Sequence, residues 1–274
     1  MSQPAVSAIV ASYHTGPRLK ECVYALLGDP EVNEIILVDN GNPQNMQAWM
    51  ADFAKTRSTV TLISGHGNIG FGAAINRGIS RASGPHLLVI NPDAVLRRNS
   101  VSGMQAAAAD CAEPWIVGGK IFDLYGREER GPRRRELTLW RAATRPLGWN
   151  TWTLESTPPP SGPVDMPVIS GAFFLTSAAS MAQLEGFDEG YFLHVEDVDL
   201  CRRCRAAGGR VIYDPRSGAL HYGATSESPS AVVERHKADG LAHYFKKFAE
   251  GPFERLAVAI IVPMIRAAMA LKHR

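Results

Sequence analysis

Apolar residues in the first hundred positions follow two alternating rhythms. Short runs rich in β-branched residues occupy 5–11, 34–38, 60–63 and 86–90, and each reads as a buried strand. Between them, 17–27, 44–55 and 72–81 space their apolar residues three and four apart, as one face of a helix does. Strands alternating with helices of this length need crossover connections. The pattern therefore predicts an α/β fold with a mostly parallel sheet flanked by helices. Ligands gather beyond the carboxyl ends of such strands. Those ends carry Ser12-Tyr13-His14, Asp39-Asn40-Gly41-Asn42, Gly65-His66-Gly67-Asn68-Ile69-Gly70 and Asn91-Pro92-Asp93. Every tip is polar or glycine-rich, which predicts a ligand-binding rim.

The rhythm changes after residue 100. A helix over 100–110 and a strand over 115–122 lead into an irregular stretch, 123–167, holding Arg127, Arg130, Arg133, Arg134, Arg135, Trp140, Trp149 and Trp152. Loops of this length are functional or mobile. This one reads either as a solvated insertion or as a basic, aromatic-bearing loop that meets an anionic or sugar-bearing partner. Order resumes over 168–176, and 186–199 is dense in aromatics and carboxylates. A helix over 197–207 is closed by Gly208-Gly209, a short strand follows at 210–213, and 217–226 completes the core. Helical patterns fill 230–249 and 253–272. The expected organisation is a domain over 1–226, with a nucleotide-binding half (1–100) and an acceptor half (101–226), followed by a helical region over 227–274.

Composition narrows the classes. At 45% hydrophobic residues the chain of 274 can fill a core, and a net charge of +2 gives no reason to expect nucleic acid as a partner. Four cysteines do not make a disulfide scaffold, and Cys201-x-x-Cys204 places two thiols side by side on a helix with no second pair for zinc. The start lacks the basic and apolar stretches of a secretory leader, and no window approaches the roughly 18 apolar residues of a membrane span. A cytoplasmic protein is expected. Its tail alternates apolar and basic positions, so it is expected to lie on the inner membrane surface, to pack on its own domain, or to meet a homodimer mate.

Gly65-x-Gly67-x-x-Gly70 matches the dinucleotide fingerprint, with Asp93 about twenty residues on, and by itself suggests an NAD-type oxidoreductase. The fingerprint belongs after a first strand, however, and here it follows the third. A longer set of residues points elsewhere. Gly67-Asn68-Ile69-Gly70-Phe71 through Asn76-Arg77-Gly78 resembles the N-x-G-F-x-x-x-x-N-x-G segment of family 2 glycosyltransferases. Ala8-Ile9-Val10-Ala11-Ser12-Tyr13-His14 is similar to their opening strand, Leu37-Val38-Asp39-Asn40-Gly41-Asn42 to their V-D-N-G-S, and Asn91-Pro92-Asp93 to their metal motif. Gly186-Phe187-Asp188-Glu189 through Phe192-Leu193-His194-Val195-Glu196-Asp197-Val198-Asp199-Leu200 resembles their G-F-D-E…E-D-x-D-L block, and Pro215 through His221 to Ser226 the segment that trails it. The pieces run in order over about 5–226, and their form is that of the bacterial rhamnosyltransferase-like branch.

The resemblance implies a GT-A fold and an inverting, non-processive transfer of a sugar, with rhamnose the favoured one. The donor would be a nucleotide diphosphate-sugar, dTDP-linked by preference and otherwise UDP- or GDP-linked. The acceptor would be a glycan or lipid-linked saccharide in cell-surface polysaccharide synthesis. It places Asp197 as the general base, with Glu196 next, and Asp93 with His221 on a divalent cation, Mg²⁺ or Mn²⁺. Donor contacts would fall to Ser12, Asp39, Asn68, Gly70, Phe71, Asn76, Asn91 and Arg203. Ordinary structural roles compete at several of these positions: a turn cap for Asp39, turn or core amides for Asn68 and Asn76, a helix ion pair for Arg203. The Q-x-x-R-W motif of processive synthases and the G-G-x-G-x-R-L loop of nucleotidyltransferases do not occur. A catalytically inactive sugar-nucleotide-binding protein would need neither Asp93 nor Asp197.

Overall fold

Val6–Ser12 is buried at all seven positions, which a strand manages only when both faces of its sheet are covered. It is β1, and it lies between two parallel neighbours, β2 (Val32–Asp39) and β4 (His86–Ile90), while β3 (Val60–Ile63) extends the parallel run beyond β2. The connecting helices are α1 (Arg18–Leu27), α2 (Gln44–Lys55) and α3 (Phe71–Ile79). The computed structural model describes residues 5–129, 131–144, 158, 160–223 and 230–271.

Beyond β4 come β5 (Ala94–Leu96), α4 (Ser100–Ala108), β6 (Trp115–Phe122), α5 (Leu139–Thr144) and β7 (Val164–Asp165). They are followed by β8 (Phe173–Ser177), α6 (Ala178–Gln183), α7 (Glu196–Ala206), β9 (Arg210–His221), α8 (Ser230–Lys247) and α9 (Gly251–Leu271). One sheet runs through both halves in the order β3-β2-β1-β4-β8-β6-β9-β5, with β7 also on β9. β8 is antiparallel to both β4 and β6, so the sheet is mixed: its parallel part is what the first hundred residues encode. Alternate residues divide between two cores. Ile9, Ile36 and Val89 face the side covered by α3, α7 and α8, and Ala8, Val10 and Leu37 the side covered by α1, α2 and α4.

Three short-range expectations change. The strand expected over 210–213 continues to His221 through a register shift, with Ser217 donating to Asp214 across the irregularity. β5, too short to stand out in the sequence, pairs antiparallel with the end of β9. The described part of 123–167 is not a loose insertion: Glu128 bridges Phe122, Arg134 bridges Val168, and Glu128 takes hydrogen bonds from Arg133 and Tyr213. Arg130, Trp149 and Trp152 lie outside the described residues, as do 224–226 and 272–274.

Candidate active site

Asp93 and His221 are brought together by the pairing of β5 with β9, in which Ala94 stands opposite His221. The Tyr222 N–H donates to the Asp93 carbonyl at 3.1 Å and closes the ladder. His221 Nε2 lies 3.2 Å from Asp93 Oδ1, and its Nδ1 lies 3.1 Å from both Glu129 oxygens. Burial alone would favour neutral His221, but Asp93 and Glu129 outweigh it and hold its pKa up at about 9. Asn91 Nδ2 stands 3.5 Å from His221 Nε2. Once the proton on Nε2 is given up to an incoming cation, Asp93 and His221, with Glu129 on the remote nitrogen, would form a donor set suited to a divalent cation. Among the described residues, no group of three or more His, Cys, Asp or Glu converges on one point, so protein ligands alone would not complete such a site.

The glycine loop and the end of β2 frame a cavity of about 210 Å³ lined by Tyr13, Asn40, Asn68, Phe71, Phe192 and His236, among others. Three of the residues expected to touch the donor, Asn68, Gly70 and Phe71, stand in its wall. Asn40 holds the loop: its Nδ2 donates to Asn68 Oδ1 and the Gly70 carbonyl, and its Oδ1 accepts from the Ile69 N–H. Asn68 Oδ1 takes the Gly70 N–H, and the Phe192 carbonyl takes that of Phe71. Gly70 has φ 89°, and a Cβ there would stand 2.5 Å from the Phe192 carbonyl oxygen, so only glycine fits. Three successive N–H groups are thereby committed within the protein. The loop does not offer these three to a pyrophosphate.

The other expected donor residues are engaged elsewhere. Ser12 is buried and hydrogen-bonds Thr15 and Asn42. Asp39 Oδ1 accepts from the N–H groups of Gly41 and Asn42 and from Asn42 Nδ2, the turn cap foreseen as its alternative. Asn76 clamps α3 to the next block, donating to the Phe187 carbonyl and Glu189 and accepting from the Phe187 N–H. Arg203 pairs with the fully buried Asp199 and donates to the Leu184 and Gly186 carbonyls. Its guanidinium ties α7 to the loop after α6, and no part of it lines the cavity.

Asp197 lies in the first turn of α7, entered through two consecutive left-handed residues, His194 (φ 70°) and Val195 (φ 75°). A β-branched residue there is strained. α8 approaches closely enough to hold the turn: a Cβ on Gly240 would meet the His194 carbonyl oxygen at 2.7 Å. Three donors from three segments grip the Asp197 carboxylate. Oδ2 accepts from the Arg134 guanidinium and from the Gly171 N–H at 2.9 Å, and Oδ1 from the Val198 N–H at 2.8 Å. Burial, then the neighbouring Asp197 charge, push Glu196 up to about 8, and its buried Oε2 has no hydrogen-bond partner among the described residues. Burial pushes His194 down to about 4, and its Nε2 has none among them either. Of the two acids, then, Glu196 is held neutral at pH 7 and Asp197 is the one gripped by cationic and amide donors.

Sequence reasoning missed Arg134, Glu129 and Asn40 as site residues. Asn40 stood inside a motif already singled out. Arg134 and Glu129 sit in an irregular stretch where no periodicity marks which side chains turn inward.

Comparison with known proteins identifies the family and the fold. The model of the family described as glycosyl transferase family 2 matches residues 7–182. An N-acetylglucosaminyl-diphospho-decaprenol L-rhamnosyltransferase of Mycobacterium tuberculosis is 28% identical over 249 residues, covering 83% of this chain and 80% of that one. Rhamnosyltransferase WbbL of Escherichia coli K12 is 43% identical over 53 residues, 19% of this chain and 20% of that one. Among solved structures, GalNAc-T7 with UDP, GalNAc and Mn²⁺ superposes with TM-score 0.67 at 14% identity, over 99% of this chain and 55% of that one. A mannosyltransferase from Pyrobaculum calidifontis in complex with GDP-Man and Mn²⁺ superposes with TM-score 0.64 at 16% identity, over 99% and 74%. The strands that carry the matched motifs, their order in one mixed sheet and the family match over most of that sheet lead to one conclusion: this chain belongs to glycosyltransferase family 2 and is a glycosyltransferase of the GT-A fold.

Proposed function

We propose that the protein transfers rhamnose from a nucleotide diphosphate-sugar, dTDP-rhamnose by preference, to a saccharide carried on a lipid diphosphate, with inversion at the anomeric carbon. The observation that carries the reading is the gripped carboxylate of Asp197 at the mouth of α7, in a chain that resembles an L-rhamnosyltransferase over most of its length. The nucleotide would occupy the cavity between Tyr13, Asn68 and Phe71, whose aromatic walls are available to a pyrimidine.

Asp93 and His221 would hold a divalent cation together with diphosphate oxygens. When bound, that cation offsets the charge that develops on the leaving diphosphate. The acceptor hydroxyl attacks the anomeric carbon as the bond to the diphosphate oxygen breaks. Its proton passes to Asp197, and the bonding pair leaves with the nucleotide diphosphate. Glu196, neutral at pH 7, can donate a hydrogen bond to a neighbouring acceptor oxygen without adding a second negative charge.

Thermal stabilisation by dTDP, UDP, GDP and NAD, each with and without Mn²⁺, tests the reading. A ligand that binds only the folded protein must raise Tm. The expected result is a Mn²⁺-dependent rise with dTDP that Asp93→Ala abolishes. A rise with NAD alone, indifferent to metal, would overturn it.

A further inference from the structure

α9 turns an unbroken apolar face outward. Phe253, Leu256, Ile260 and Met264 are 88%, 60%, 55% and 65% exposed, while Val258, Val262 and Ile265 on the opposite side are buried against the body of the protein. At 3.6 residues per turn, these four share an arc of roughly 140° with the exposed Ala259, Pro263 and Ala267. Glu254, Arg255 and Arg266 fall outside that arc, so no charge interrupts it. The face runs for about 21 Å along the helix, by the helical rise per residue. α5 packs beside α9 and leaves Trp140 63% exposed. A soluble surface scatters its large apolar side chains singly, so a continuous stripe of them requires a cover.

Charge selects the cover. Residues 230–274 carry eight Lys or Arg against four Asp or Glu, a net +4, whereas residues 1–229 carry a net −2. An isologous contact between two copies through this face would bring two +4 segments together, whereas an anionic surface is attracted to them. Among the described residues, no helix is long and apolar enough to cross a membrane, and α9 has Pro263 in its interior. Lying in the interface satisfies both the apolar face and the basic flanks.

We infer that α9 is a membrane-surface helix that seats this protein on an anionic bilayer through Phe253, Leu256, Ile260 and Met264. α8 leads into α9, and its first turns supply Val232, Val233 and His236 to the wall of the cavity. Docking of α9 would therefore also steady α8, which packs on it and lines the cavity. The inference deepens the reading of a lipid-carried acceptor, yet its test needs no sugar transfer, so either can fail without the other.

The experiment is flotation of the full chain with phosphatidylcholine vesicles, with and without phosphatidylglycerol, beside analytical ultracentrifugation. The expected result is a monomer that floats with the phosphatidylglycerol vesicles and is released by salt. Phe253→Ser and Ile260→Ser should each weaken partitioning by roughly tenfold, since each removes a large buried side chain from the lipid. Both positions are exposed, and the variants should keep the Tm rise given by dTDP with Mn²⁺. Failure to float with anionic vesicles would overturn the inference. So would a dimer that Ile260→Ser dissociates, since a second copy would then be the occupant.

Discussion

Arg134→Ala should impair turnover, because its guanidinium holds the Asp197 carboxylate. Arg134 is fixed at both ends: its N–H donates to the Val168 carbonyl, and its guanidinium reaches the Ile169 carbonyl and Asp197 Oδ2. With the guanidinium gone, Asp197 keeps only the amides of Gly171 and Val198, and the carboxylate is free to swing from the acceptor hydroxyl. A hydrogen bond to a charged group is worth about 1.5–3 kcal/mol, and partial exposure of the pair (26% and 14%) argues for the lower half of that range. A loss of about 1.5–2 kcal/mol corresponds to a fall of roughly 10–30-fold in kcat. Steady-state transfer measured against donor concentration reads it, with donor KM changed by less than about twofold because Arg134 orients the base and holds no donor atom. Arg134→Lys should recover part of the rate. Arg134→Ala placed on Asp197→Asn should cost nothing further, since the residue it positions is already disabled. A raised donor KM at unchanged kcat would refute the reasoning and make Arg134 a donor-binding residue.

The remaining predictions probe the supports of the same turn. Gly240→Ala, which on an ordinary helix would add about 1 kcal/mol of stability, should instead destabilise and lower kcat, because the methyl group meets the His194 carbonyl; thermal melts and turnover check both. Glu196 has a folded pKa raised from 4.5 to about 8 by burial, so folding takes up a proton. Its contribution costs nothing below pH 4.5, grows against the fold between there and about 8, and is full above. Glu196→Gln should therefore raise Tm at pH 8.5 by several degrees more than at pH 4.5, an order-of-magnitude expectation for roughly 2–4 kcal/mol. Lys247 bridges Asp188 at 2.6 Å and the buried Asp199 at 2.7 Å, tying α8 to α7. Burial raises the Asp188 pKa, but Lys247, the Gly190 N–H and His243 outweigh it and hold it below the usual carboxylate range. That contribution is present at neutral pH and lost as pH falls, and Lys247→Met should cost about 2–3 kcal/mol in denaturant melts at pH 7, and less in acid.

Much of this was legible in the residues. The parallel strands and their helices follow from local periodicity, because β1, β4 and the second half of β2 are buried on both faces and read as nearly continuous apolar runs. Asp93 and His221 could be paired by motif, but the strand that joins them, Ala94–Leu96, is three residues long and leaves no periodic trace. Arg203 and Asn76 sit within strong motifs and yet serve the scaffold, one pairing with buried Asp199 and the other clamping Phe187. A motif states that a residue type is needed at a place, and the need can be packing as readily as chemistry. Arg134 was invisible for the opposite reason. It lies among Arg133 and Arg135 in an irregular segment, and only the long-range bridge to Val168 turns its side chain toward α7.

In the proposed reaction the Asp197 carboxylate takes the acceptor proton during transfer from a nucleotide diphosphate-sugar. The most direct measurement is transfer from dTDP-rhamnose with Mn²⁺ to N-acetylglucosaminyl-diphospho-polyprenol, comparing the protein as it stands with Asp197→Asn and following the product by mass spectrometry and its anomeric configuration by NMR. The unaltered protein should give an inverted product. In Asp197→Asn kcat should fall by roughly 10²–10⁴-fold, the range for a lost general base, with dTDP still raising Tm in the presence of Mn²⁺. A retained configuration, or an Asp197→Asn variant that turns over at the original rate, would contradict that reaction.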